Sequence, residues 1–268
     1  MNELTTPLFS APKIAAAMRS PVAGLTIEAV RSTNSTNADL LARVGQMAAP
    51  VLLVADQQLA GRGRAGRTWH SQAHASLTCS LAWRFNLPIQ ALTGLPLVVG
   101  IALADALAAR GDSVQLKWPN DLLCDGKKLG GVLIETAADP HAANVVWAVI
   151  GIGINMQHCA TLDAELGLPI ASLSAMAVED RDALLAGLLD HLGRELGQFE
   201  KAGFGIFVSR WNALHAHRDQ PVRIIDRGRT LFDGVARGVD AQGCLLLDTA
   251  DGPRAVVAGD VSLRTVPV

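Results

Sequence analysis

The stretch GRGRAGRTW, Gly61 to Trp69, lies between two segments of β pattern, and that placement limits the possible folds sharply. As letters, Gly61, Gly63 and Gly66 satisfy the G-x-G-x-x-G fingerprint of dinucleotide-binding folds. The fingerprint requires a strand before it, a helix after it and, roughly 20 residues on, a carboxylate for the ribose. The strand is present, because VLLVADQQ is apolar and β-branched, but ASLTCSLAWRF after the loop alternates in period two and reads as a second strand. No Asp or Glu occurs between Gln57 and Ala104, whereas Arg62, Arg64, Arg67 and Arg84 do. A nicotinamide-binding doubly wound sheet is therefore excluded. The loop reads as a cationic glycine loop joining two strands and suits another anion.

The rest of the pattern builds a sheet around that loop. LTIEAV predicts a strand, Ser35 or Thr36 an N-cap, and NADLLARVG a short helix ending near Gly45. ALTGLPLVVGIALADALAARG has helical length and spacing with Gly111 as its stop, and VQLKW makes a strand that Pro119 must end. DLLCDGKKLGGVLIET predicts a hairpin with Asp125-Gly126 in its turn, and VVWAVIGIGIN a further strand. An amphipathic helix is expected from Val178 to about Gly203, and another over FGIFVSRWNALH. After Arg218 the chain becomes short strands separated by Gly, Asp and Pro turns, the pattern of a small β-barrel.

Size and charge narrow the function classes. With 268 residues, half of them hydrophobic, the chain can bury a full core, and the pattern divides it into one large and one small domain. A net charge of −2 gives no general attraction to nucleic acid, so any polyanion site must come from local clusters of Arg and Lys. Cys79, Cys124, Cys159 and Cys244 form no C-x-x-C pair and read as structural thiols rather than zinc ligands or disulfides. The N-terminus lacks a basic start followed by an apolar core, and no later apolar run of spanning length is free of Gly, Pro and charge. A cytoplasmic protein without a membrane partner is expected.

Four segments carry chemistry. STNSTN, Ser32 to Asn37, reads by itself as a turn and a cap. In GRGRAGRTW, preceded by Gln58, glycines let backbone N–H groups approach an anion and arginines supply charged donors. KWPNDLL and KKLGG bring Asn120 and Asp121 at a strand tip toward Lys127 and Lys128 on the returning hairpin, with Lys117 on the entering strand. In VIGIGINM, Gly151 and Gly153 thin a strand where a ligand or another backbone comes close, although packing alone would also account for them. No Walker sequence and no nucleophile elbow occurs. The residues offer positioning and positive charge, which suits attack by a substrate carboxylate on the α-phosphorus of ATP, among other phosphate chemistry.

GRGRAGRTW, KWPNDLL…KKLGGVLIE and VIGIGINM, in that order and spacing, resemble the biotin protein ligases, and the resemblance runs from about Ile27 to the C-terminus. It implies an α+β fold with a central mixed, largely antiparallel sheet flanked by helices, followed by a C-terminal SH3-like β-barrel. The domains would be an N-terminal extension over 1–26, a catalytic ligase domain over 27–217 and the barrel over 218–268. It also implies the activity: ATP-dependent formation of biotinyl-5′-adenylate with release of pyrophosphate, then transfer of biotin to a lysine of a biotin carboxyl carrier domain, with Mg2+ as cofactor.

Residue by residue, the resemblance makes Ser35, Thr36 and Asn37 the biotin-contacting triplet, the second of two overlapping S-T-N triplets. Gln58 would bond the biotin head group. Gly61, Arg62, Gly63 and Arg64 would close over biotin and the adenylate, with Arg62 orienting carboxylate and phosphates and Arg64 assisting. Trp69 would cover the adenine or seat the loop. Asn120 and Asp121 would hold the nucleotide and magnesium, Asp121 also receiving the target lysine's proton. Lys128 would contact the biotin carbonyl and phosphate, with Lys117 as an electrostatic helper and Gly130, Gly131 and Gly153 giving close backbone approach. Asn155 would lie near the nucleotide, and Arg264 would reach toward the triphosphate. About 26 residues ahead of the first strand are too few for a helix-turn-helix module, so a ligase that does not bind DNA or repress transcription is expected. The alternatives are a lipoate or octanoate transferase of related fold and a non-catalytic biotin sensor. A homodimer through an exposed sheet edge is compatible with these residues.

Overall fold

The computed structural model of the chain describes residues 6–159, 170–175, 178–226, 229–258 and 261–265. Seven strands form the main sheet: β1 (Thr26–Thr33), β2 (Val51–Gln58), β3 (Ser76–Phe85), β4 (Gln115–Lys117), β5 (Asp121–Cys124), β6 (Lys127–Ala138) and β7 (Val146–Asn155). Their spatial order is β1-β2-β3-β7-β6-β5-β4, with only β1 and β2 parallel, so the sheet is mixed and largely antiparallel as expected. The β5–β6 turn is the predicted Asp125-Gly126, with φ of 49° and 73°, the left-handed pair that a two-residue hairpin requires.

Period-two alternation sends the strands' apolar residues to both faces. From β2, Leu52 and Val54 join one core, while Val51 and Leu53 face the other. The larger core lies under α1 (Ala11–Ala17), α3 (Leu95–Ala108) and α4 (Arg181–Ala202), and the smaller under α2 (Thr36–Leu41), whose Leu40 is fully buried. α3 is apolar on almost every side because it is enclosed on almost every side. The segment Ile89–Ala108 is long and apolar enough by composition to cross a membrane, but 72% of its 18-residue apolar window is buried within the fold, which makes it a core helix.

Helix ends shift where backbone chemistry decides. Gly94, at φ 83° and directly against Phe204, starts α3 later than the apolar pattern does. Asp180 caps α4 by accepting from Ala183 N at 2.9 Å. The expected helix over FGIFVSRWNALH is a 3-10 turn at Phe204–Phe207 followed by α5 (Val208–Leu214). Ahead of β1, the chain docks on the large core: Phe9 and Ile14 are buried, Leu8 N donates to Asp56 at 3.0 Å, and Ser10 N donates to Asp182 at 2.9 Å.

The C-terminal strands β8 (Pro221–Asp226), β9 (Arg229–Val239), β10 (Leu245–Thr249), β11 (Gly252–Val256) and β12 (Val261–Thr265) form an antiparallel sheet in the order β11-β10-β9-β8-β12. No pairing between β11 and β12 closes it among the described residues. Its inward residues Val222, Ile224, Leu245 and Leu247 belong to the same apolar cluster as the large core. The Trp118 indole donates to Gly243 O at 3.1 Å, and Asn212 of α5 accepts from Val239 N at 2.9 Å. The small sheet is therefore fastened to the edge of the large one beside β4 and β5.

Candidate functional site

One cavity of about 700 Å³ opens on the sheet face that carries α2 and the glycine loop, a size suited to a small-molecule ligand. It brings together most of the residues singled out from sequence. Ser35, Thr36, Asn37, Gln58, Arg62, Gly63, Arg64, Trp69, Lys117, Asn120, Asp121, Lys128, Gly131, Gly153, Asn155 and Arg264 all line it. Gly61 and Gly130 stand behind that lining. A Cβ on Gly61 would strike Trp69 O, and one on Gly130 would lie 2.5 Å from Gly153 O.

The end of the cavity at α2 is neutral and buried. Ser35 caps the helix and, with Thr36 and Asn37, is at most 4% exposed. Thr36 N donates to Gln58 Oε1 at 2.8 Å, the Thr36 hydroxyl lies 2.6 Å from Ser80 Oγ, and Ser80 Oγ donates to Asn37 Oδ1 at 2.6 Å. The second S-T-N triplet is thus the one at the cavity. Ser80 was not singled out from sequence; the signal was a serine placed among the inward residues of an apolar strand.

The opposite end is cationic. Lys128 Nζ lies 2.7 Å from Asp121 Oδ1, and Lys117 Nζ lies 4.0 Å from Asp121 Oδ2. Register explains the convergence: Lys117 pairs with Asp121 across β4 and β5, and Asp121 with Gly131 across β5 and β6, where a bulge swings Lys128 to the same face. Burial pushes the Lys117 pKa down; Asp121 opposes this, and the cations Arg264, Lys128 and Arg67 add to it. Arg264 lies at this end, on β12. Lys127, at the turn, is exposed.

The glycine loop bridges the two ends. Its own backbone closes it, Gly63 N donating to Arg67 O at 2.7 Å and Trp69 N to Gly61 O at 2.9 Å. The Trp69 ring lies directly on Gly153, where no Cβ could fit, and so seats the loop on β7. Arg64 donates to Asn120 Oδ1 at 3.0 Å, and Arg62 donates to Glu135 Oε2 at 2.8 Å. Asn155 is held by donating to Lys128 O at 3.4 Å and to Ala171 O at 3.1 Å. Glu135 and the buried His217, which lines the cavity, were not assigned a role from sequence. Burial, then the Lys117 charge, holds the His217 pKa down at about 4.

A neutral, hydrogen-bonded pocket at one end, a cationic end at the other and a glycine lid between them define a class of protein that encloses a small molecule with a polar head and an anionic tail. The first match is to the Biotin/lipoate A/B protein ligase family over residues 27–155, and the second to the Biotin protein ligase C terminal domain over 217–264. The chain is 37% identical over 235 residues to the bifunctional ligase/repressor BirA of Escherichia coli, covering 87% of this chain and 72% of that protein. It is 34% identical to a biotin–[acetyl-CoA-carboxylase] ligase of Mycobacterium tuberculosis, covering 88% of each. The solved structure of the Aquifex aeolicus biotin protein ligase with biotin and ATP superposes with a TM-score of 0.71 at 27% identity, over 91% of this chain and all of that one. The chain belongs to the biotin protein ligase family.

Proposed function

We propose that the chain is an ATP-dependent biotin–[carboxyl carrier] ligase that works by way of biotinyl-5′-adenylate. The observation that carries the reading is a single cavity in which the Thr36–Gln58 pocket faces the Lys128–Asp121–Lys117 cluster. The relatives named as ligases support it, as does the related structure that holds biotin and ATP. A match to the C-terminal domain of biotin ligases favours biotin over lipoate.

In the first half-reaction a biotin carboxylate oxygen attacks the α-phosphorus of ATP. The O–P bond forms as the bond to pyrophosphate breaks. Ser35, Thr36, Asn37 and Gln58 hold the ureido head, which fixes the carboxylate in line and supplies proximity. Lys128 and Arg62 stabilise the charge that gathers on the equatorial oxygens, with Arg64 and Lys117 as supporting cations. Lys128 is 37% exposed and its ammonium is paired with Asp121, so it can turn to the substrate. Asn120, Asn155 and Arg264 hold the nucleotide. Trp69 seats the loop, which excludes water from the mixed anhydride.

In the second half-reaction a neutral lysine amine of the carrier domain attacks the carbonyl carbon. The C–O bond to AMP breaks and an amide forms. Asp121, released when Lys128 turns to the substrate, takes the proton.

No cluster of three or more potential metal-binding side chains occurs among the described residues. Among the described residues Asp121 is the single carboxylate lining the cationic end, a donor set that fits magnesium arriving on ATP phosphates better than a resident ion. The ion would neutralise phosphate charge. The C-terminal sheet is proposed to curl as an SH3-like barrel, because β8–β9 and β9–β10 both carry the register shifts that bend strands. Free cysteines throughout fit a reducing cytoplasm.

The test is transfer of labelled biotin to a purified biotin acceptor domain. ATP-dependent labelling of its lysine, outcompeted by unlabelled biotin and not by lipoate, is expected. Biotin binding without transfer would favour the sensor, and competition by lipoate would favour the transferase.

A further inference from the structure

Behind the cavity lining, bonded to two of its residues, stands an anionic side chain that the chemistry above leaves unused. Glu135 is on β6, two residues past Leu133 and on the same face of the strand. A single oxygen of it, Oε2, accepts from Asn37 Nδ2 at 2.8 Å and from Arg62 Nη2 at 2.8 Å. It therefore joins the buried triplet on α2 to the glycine-loop arginine through one atom.

We propose that Glu135 is a positioning residue that fixes the hydrogen-bond polarity of the biotin end of the cavity and holds the glycine loop shut through Arg62. The inference rests on the biotin ligase reading and goes beyond it.

The polarity follows step by step. Asn37 donates from Nδ2 both to Glu135 and to Leu133 O, the latter at 3.3 Å, so its Oδ1 must face Ser80. A flipped amide would set its oxygen against the carboxylate. Ser80 then spends its one hydroxyl hydrogen on Asn37 Oδ1, so Ser80 Oγ can only accept from the Thr36 hydroxyl, whose single hydrogen is shared between Ser80 Oγ at 2.6 Å and Gln58 Oε1 at 3.0 Å. Gln58 Oε1 is held by Thr36 N, so the Gln58 amide offers its N–H groups rather than its oxygen as free contacts. Gly151 permits this, since a Cβ there would lie 2.5 Å from Asn37 Oδ1. Without the carboxylate, the longer 3.3 Å bond to Leu133 O is left to distinguish the two amide orientations of Asn37.

The latch has a different physical origin. Arg62 and Glu135 side chains are 46% and 27% exposed, and such a pair contributes little to overall stability. Its effect is local. It ties the loop to β6 and halts the guanidinium at the mouth of the biotin pocket, while Trp69 on Gly153 secures the other end. Because both bonds end on one oxygen, the orientation of the pocket and closure of the loop are linked.

The experiment compares wild type, Glu135→Gln, Glu135→Asp, Arg62→Ala and the double variant Glu135→Gln/Arg62→Ala. Four quantities are read: biotin affinity by calorimetry without nucleotide, the half-life of enzyme-bound biotinyl-adenylate, the trypsin cleavage rate at the loop arginines, and the thermal midpoint. Glu135→Gln is expected to weaken biotin about 10-fold or more and to shorten the adenylate half-life by a similar factor, the loss of one charge-assisted bond. Loop cleavage should accelerate and the thermal midpoint should stay. Glu135→Asp should recover part of the affinity, and the double variant should release adenylate no faster than the worse single variant. Wild-type biotin affinity and loop protection in Glu135→Gln would overturn the proposal, as would a loss confined to the thermal midpoint. Wild type that bound no biotin would bring down the ligase reading itself, and this inference with it.

Discussion

Gly153 lies under the ring of Trp69, and the loop over the cavity depends on that contact. Gly153→Ala should displace the indole, speed trypsin cleavage at Arg64 and Arg67, and raise the KM for biotin about 10-fold or more, because overpacking costs about 1–3 kcal/mol. Unchanged cleavage and KM would show that the ring does not seat the loop. A pH effect belongs to this scale too. Burial, then neighbouring His217 and Arg218, holds the His215 pKa down at about 4, against Asp219, and burial with Lys117 does the same for His217. Unfolded histidines bind protons near pH 6.5, so between about pH 6.5 and 4 the unfolded chain carries more protons than the folded one. Stability is fully present above that window and falls on acidification through it, by at most ~3 kcal/mol per histidine. Thermal midpoints from pH 7.5 to 4.5 should show a shallower slope in His217→Gln, and an unaltered slope would contradict the assignment. At this scale the sequence was informative where a motif states its chemistry, as in Lys117, Asp121 and Lys128. It was silent on Glu135 and Ser80, whose meaning comes from partners 98 and 43 positions away from them, at Asn37.

Elements were legible in proportion to their length and regularity. β3 announces itself by period-two alternation, β2 by its apolar, β-branched run, and the β5–β6 hairpin by the left-handed Asp125-Gly126 turn. α1 was not read at all. A helix of 7 residues shows no period, and only its Ile14 is buried. That residue nevertheless fastens the segment to the large core, beside α4 carboxylates Asp182 and Asp190 that accept from the backbone N of Ser10, Arg19 and Ser20. Ile14→Ala is therefore expected to cost about 2–5 kcal/mol in denaturant unfolding with little effect on the KM for biotin. A cost under about 0.5 kcal/mol would mean that α1 is an ornament on the fold. Within α4, burial raises the Glu195 pKa, but hydrogen bonds and charge from Arg210 and Arg194 overcome that and hold the carboxylate ionised. This fixes α4 to α5, and α5 leads into the small sheet.

Across the whole molecule, pattern divides the chain near Arg218, whereas packing does not. Val222, Ile224, Leu245 and Leu247 share one apolar cluster with Leu116, Trp118 and Trp211, and Arg264 is delivered to the cavity from the last strand. A boundary of composition is visible in letters; a shared core is visible only after folding. A chain ending at residue 217 should expose that cluster and lose its cooperative unfolding transition, which calorimetry would register, and two independent transitions in the intact chain would contradict the shared core. The central claim is that this cavity joins biotin to ATP with Lys128 at the reacting carboxylate. Biotin-dependent exchange of labelled pyrophosphate into ATP tests it most directly, with wild type beside Lys128→Ala. Exchange in the wild type, reduced at least about 100-fold in Lys128→Ala while biotin still binds, is the expected result for a charge stabiliser at the reacting group. Undiminished exchange in the variant, or none in a wild type that binds both substrates, would contradict the account.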